Sequence, residues 1–210
     1  MWYWTEAFSP AIGFAVWVLM RDGLRVSPFD AHPAGDRLLG MRGLDEAAWR
    51  SWLGTIVASQ TRFDEALSSH DLRTISVDER GELAWLDGGP DPAHCWTGGP
   101  ELRVILEDLW QEYRPIGEAW AASMTSSKRH DRLSSREERR LWRQLRPVRA
   151  RLPTLRVYPV EYGRVVAMPI RPASCVVGVG APDAGGHAFV DRLTEAAQSL
   201  AGDALGSEAR

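Results

Sequence analysis

The stretch from Leu155 to Leu200 constrains the fold more than any other. Leu155 to Met168 is rich in β-branched and aromatic residues, which suit a pleated, half-buried surface. Gly163 sits where this run would reverse, so a strand, a tight turn and a second strand are predicted. Pro159 donates no ladder hydrogen bond and points to an edge strand or a bulge. After Pro169 and Pro172, Ser174 to Val179 is a short run without polar alternation, the pattern of a strand covered on both faces. Gly180 to Gly186 reads as a glycine loop. Phe189, Val190, Leu193, Ala196, Ala197 and Leu200 then recur at helical spacing, with Gly202 as the predicted stop.

A strand, a glycine loop and a helix start can bind an anion, because free N–H groups and the helix dipole face it. The candidate residues are Gly178, Gly180, Gly185, Gly186 and His187, with Arg164 as a nearby polar group. The run lacks the third glycine of a dinucleotide-binding loop and the Gly-Lys-Ser/Thr of a phosphate loop. A plain, flexible connection between the last strand and the last helix is the leading reading, with the anion site as its alternative.

Earlier in the chain, Ile12 to Met20 is apolar almost throughout, and Arg21, Asp22 and Gly23 follow it. Asp-Gly between apolar runs is a strong hairpin signal, so a buried strand and a short return strand ending before Pro28 are predicted. Phe29 to Gly43 reads as a loop, with Asp30 and His32 as candidate ligands or acid–base groups. Asp45 to Gln60 is a helix, with Trp49, Trp52, Leu53, Ile56 and Val57 on one apolar stripe. Thr74 to Val77 and Leu83 to Leu86 flank a glycine-containing turn and suggest a further hairpin.

Asp87 to Gly99 is irregular and carries His94, Cys95 and Trp96. A His-Cys pair occurs in metal sites and in nucleophile–base pairs. No companion Cys-x-x-Cys or His-x-x-x-His accompanies it, and no metal or other cofactor is expected. Pro100 to Tyr113 is a helix whose stripe is Leu102, Ile105, Leu106, Leu109 and Tyr113. Proline suits its first turn. Pro115 is expected to break it before a shorter helix around Trp120. Glu107, Asp108, Glu112 and Glu118 are too scattered to single out a carboxylate pair.

Lys128 to Arg151 differs in composition. It holds 10 basic and 3 acidic residues, so the remaining chain carries −10 against a total of −3. Ser135 and Glu138 have capping-box spacing. Leu141, Leu145 and Val148 mark the apolar side of the helix, and Trp142 lies beside them. Arg136, Arg139, Arg140, Arg143 and Arg146 are the candidate partner-binding residues. Such a face is first of all a solvated one, or one paired with the acidic remainder of the chain; arginine forks also suit carboxylates and phosphates, and a basic stripe can hold a nucleic-acid backbone.

These elements predict an α+β fold: a mostly antiparallel sheet built from hairpins with four or five helices packed on it. One domain over residues 1–201 is expected, with the basic segment 128–151 inside it and a flexible tail over 202–210. Cys95 and Cys175 do not make a disulfide framework. No basic region precedes the apolar run at Ala11 to Met20, which is too short to span a bilayer. A cytoplasmic protein with reduced thiols and no membrane partner follows as the expectation. Lys128 is the single lysine among 25 basic residues, an arginine excess that fits a GC-rich bacterial genome.

No stretch carries a catalytic signature. Tryptophan and arginine are enriched at interface anchors, and this chain has ten tryptophans. The leading expectation is a non-catalytic adaptor or regulatory component of a bacterial multi-protein system. It would hold an acidic protein partner through a Trp-rich surface and the Arg-rich helix. Two alternatives stand beside it: a nucleotide or phosphorylated small-molecule binder built on the 178–187 loop, and nucleic-acid binding through 128–151.

Overall fold

A computed structural model describes residues 3–29, 39–69, 89–126, 133–152, 154–180 and 186–208. Within them the chain is α+β, with five α-helices and one four-stranded sheet. It forms two compact units, Ser9–Ala119 and a second made of Met1–Phe8 with Trp120–Arg210. The expected hairpin at Thr74–Val77 and Leu83–Leu86 falls outside the described residues, as do Asp30 and His32.

The sheet belongs to the second unit. Strand β1 is Tyr3–Glu6, β2 is Thr154–Gly163, β3 is Val166–Ile170 and β4 is Ser174–Gly180. Their order is β1-β2-β4-β3. β1 and β4 both run parallel to β2, and only β3 pairs antiparallel, with β4. The sheet is therefore mixed, which corrects the expectation of a mostly antiparallel, hairpin-built sheet. Gly163 does turn the chain, at φ 79°, but β2 and β3 do not pair. β4 lies between them, and Arg164 and Val165 carry the chain across its end.

Gly178 sits beneath that crossing. A Cβ there would lie 2.8 Å from Val166 Cγ2 and 3.0 Å from the Arg164 carbonyl oxygen. Pro159 fits β2 because of where pairing stops. Arg156 N–H donates to Ala173 O on the β4 side, and Ala7 N–H donates to Val157 O on the other. Alternation places the missing donor of Pro159 on the β1 side, where the β1 register has ended at Glu6 and Val157. The proline thus occupies a locally open edge.

Two helices close one face of this sheet. Helix α4 is Ser135–Leu145 and α5 is Gly186–Glu208. Leu155, Val157, Cys175 and Val177 pack with Val190, Leu193 and Ala197 of α5, and Leu141 and Leu145 of α4 complete the same cluster. Side chains on the opposite face, including Tyr158, Val176 and Met168, are also buried, as a run without polar alternation requires. Gly202 does not stop α5. The helix continues to Glu208, so most of the expected flexible tail has helical backbone.

The first unit is helical. α1 spans Pro10–Asp22, where a strand was expected. Ser9 caps it by accepting from Ile12 N–H, Pro10 occupies its first turn, and Gly23 ends it at φ 67°. Asp-Gly is thus a helix terminus here and not a hairpin turn. α2 spans Glu46–Ser69, and Asp45 accepts from Ala48 N–H at its start. The whole predicted stripe of α2, from Trp49 to Val57, is buried.

α3 spans Pro100–Ser126 without a break at Pro115 and passes from one unit into the other. Pro115 and Gln111, whose carbonyl loses its helical donor, are both exposed, so that oxygen is open to solvent. The buried face of Leu102, Leu106, Trp110, Tyr113 and Gly117 runs past the proline unbroken. Ile105 and Leu109 of the predicted stripe are half-buried.

Tryptophans hold this unit together. Phe14 meets Trp52 and Trp110 edge-on at 5.8 and 5.3 Å between ring centres. The indole N–H groups of Trp49, Trp52 and Trp96 donate to the carbonyls of Ala15, Pro92 and Gly99, as buried indoles require.

Candidate interaction face on the arginine helix

α4 begins one residue earlier than its sequence suggests. The capping pair is Ser134 and Glu137, not Ser135 and Glu138. Ser134 Oγ accepts from Glu137 N–H, and Glu137 accepts from Ser134 N–H at 2.8 Å. Leu141, Leu145 and Val148 are buried as predicted. At 100° per residue, Arg136, Arg139, Arg143 and Arg146 fall on the opposite side, and all four are exposed. They cover about 15 Å of helix axis at 1.5 Å per residue. Trp142 flanks them with 37% of its surface exposed. Arg149 and Arg151, in the turn after the helix, are exposed as well.

Arg140 differs from its neighbours. It lies at the edge of the face, donates to Asp191 Oδ1 of α5 at 2.8 Å and stands 3.3 Å from His187 Nδ1. Thr194 and Gln144 add a second polar tie between the same helices. These contacts fix the rotation of α4 about its axis, and that rotation decides which arginines face outward. The spacing of Asp191 four residues after His187 was the available sequence signal, but nothing local linked it to α4.

Glu137 occupies the helix start where the sequence suggests an external anion. Its carboxylate oxygens lie 2.7 Å from the position a Cβ would take on Gly186, the first residue of α5. The Ser134 hydroxyl, the Ser134 N–H, His187 and Arg140 hold this carboxyl below the usual carboxylate range. Gly178 and Gly180 belong to β4, Gly185 is outside the described residues, and His187 is largely exposed, 3.7 Å from Glu137 Oε1.

In the first unit, His94 Nδ1 lies 3.1 Å from Asp91 Oδ2. Asp91 Oδ1 also accepts from the N–H groups of Ala93 and His94. Cys95 is half-buried and hydrogen-bonded to Ser59. Burial, and then the Asp91 charge, push its thiol up to about 11, the reverse of what a nucleophile needs. Burial alone pushes Cys175 up to about 12. Among the described residues no three His, Cys, Asp or Glu side chains gather as metal ligands, and no helix is long and apolar enough to cross a membrane.

Of the seven tryptophans whose side chains are described, Trp49, Trp52, Trp96 and Trp110 are buried, Trp17 and Trp120 are half-buried, and Trp142 is exposed. No family model, curated protein or solved structure matches this chain.

Proposed function

We propose that this chain is a non-catalytic interaction protein, an adaptor or regulatory component of a bacterial multi-protein system, that grips an acidic protein surface with the outward face of α4. One observation carries this reading. Arg136, Arg139, Arg143 and Arg146 are exposed in one row, while the neighbouring Arg140 is the one tied to α5. Arginine pairs with carboxylates through two parallel N–H donors and loses little freedom on doing so. Trp142 beside the row adds an amphipathic anchor of the kind that concentrates binding energy. The bacterial part rests on the arginine excess over lysine.

The alternatives have less support. Single-strand binding wants several stacking aromatics where α4 offers Trp142. A nucleotide loop has to share Gly186 with the Glu137 carboxylate.

The test uses the full chain and the variant R136Q/R139Q/R143Q/R146Q, in which glutamine keeps helix propensity. Both are immobilised and exposed to nuclease-treated host lysate. The expected result is a protein retained by wild type, lost by the variant and released at raised salt. Identical retained sets overturn the reading. Retention only before nuclease treatment moves the function to nucleic acid.

A further inference from the structure

The chain carries a second exposed, charged helix face, of opposite sign. On α3, Glu101 and Asp108 are both exposed and stand on one side of the helix. Val104, between them, has 57% of its surface exposed. Neither carboxylate takes part in an ion pair among the described residues, whereas the next acid on that side, Glu112, pairs with Arg21 at 2.7 Å. Glu101 and Asp108 are seven residues apart, two helical turns, or about 10.5 Å along the axis. Arg136 and Arg143 on α4 have the same separation and are likewise exposed.

From this match we infer that the acidic surface taken by α4 is the α3 face of a second copy of the same chain. The inference rests on the reading of α4 given above and names its partner. Two helices laid antiparallel bring Arg143 to Glu101 and Arg136 to Asp108, with Val104 facing the apolar flank that Trp142 supplies. The antiparallel sense also sets opposed helix dipoles side by side. The charge of the chain is divided in the same sense: residues 128–151 carry +7 and the remainder −10. Specific interfaces bury roughly 1,200–2,000 Å² in total, more than one helix pair supplies. The contact is mostly exposed and ionic, so the dimer is weak and sensitive to salt.

Sedimentation velocity of the full chain over a wide concentration range tests it, at about 50 mM and about 500 mM salt. Wild type is expected to sediment as a concentration-dependent dimer at low salt and as a monomer at high salt. R136E/R143E and E101R/D108R are each expected to be monomeric alone and to associate when mixed, because each then offers what the other lost. Far-UV circular dichroism of each variant, unchanged from wild type, establishes that the reversals leave the fold intact. Wild type that stays monomeric at low salt overturns the inference, as does a mixture of folded variants that stays apart. If wild type is monomeric yet still retains a lysate protein that the glutamine variant loses, the partner is another protein and the reading of α4 survives. If both results are negative, both fall.

Discussion

Replacing Gly178 with alanine separates two reasons for a glycine in β4. The backbone of Gly178 is not among those at positive φ, so alanine can adopt it without strain. The new methyl would lie 2.8 Å from Val166 Cγ2 and 3.0 Å from both Tyr162 Cβ and the Arg164 carbonyl oxygen. The last of these is backbone and has little room to move. Overpacking of this kind costs about 1–3 kcal/mol. Restricting the unfolded chain offsets about 0.4–1 kcal/mol. The net loss of about 1–2 kcal/mol corresponds to a fall in Tm of about 2–8 °C for a chain of this size. Thermal melts followed by far-UV circular dichroism read it directly. Adding V166A removes one of the three contacts, so G178A should cost less in that background, a coupling expected only between touching residues. If Gly178 instead leaves space for a ligand, alanine meets nothing in the empty protein and replaces a poor strand residue with a better one. A rise in Tm would therefore refute the crossing of β2 to β3 as the reason for the glycine.

Three further outcomes are expected. P115A restores the hydrogen bond to the exposed Gln111 carbonyl in mid-α3 and should raise Tm by several degrees, about 2 kcal/mol or more after the unfolded-state offset; a lower Tm would mean that the helix requires the proline. Because Glu137 is held below the ordinary carboxylate range, chiefly by Ser134, its contribution is fully present above about pH 4.5 and is lost as pH falls through its lower folded value. The difference in Tm between wild type and E137Q should accordingly be largest near neutrality and vanish in acid, and a difference that grows in acid would contradict the assignment. With its thiol pushed up to about 11, Cys95 should react slowly with a disulfide reagent near neutral pH and faster in D91N, which removes a charge that opposes ionisation; rapid labelling of the wild type at neutral pH would contradict that environment.

The parts of the fold that were legible are those whose signal is local. The stripe of Trp49 to Val57 and that of Leu141 to Val148 declare a buried side by spacing alone, and both are buried. Val166 to Ile170 and Ser174 to Gly180 are strands for the reasons their composition gives. Ile12 to Met20 reads as a strand yet is helical, because an apolar run without polar interruption has no period to read. The deciding signals were Ser9-Pro10 ahead of it and Gly23 after it, and Asp22-Gly23 argued for a hairpin with equal force. Strand order was out of reach, because the insertion of β4 between β2 and β3 depends on long-range pairing and leaves no mark near Gly163. The charge of α4 was plain from the letters. That Arg140 is tied to α5 was not, since Asp191 meets it from 51 residues away in the chain.

The pairing of Tyr3–Glu6 with Thr154–Val157 has a consequence for synthesis. A nascent chain leaving the ribosome has all of Ser9–Ala119 available to fold before β2 has been translated. Throughout that interval the first strand waits with its hydrogen-bonding edge unclaimed, open to pairing with a stray strand from another molecule. Any message cut short before the codons for β2 would release β1 without the strand it pairs with.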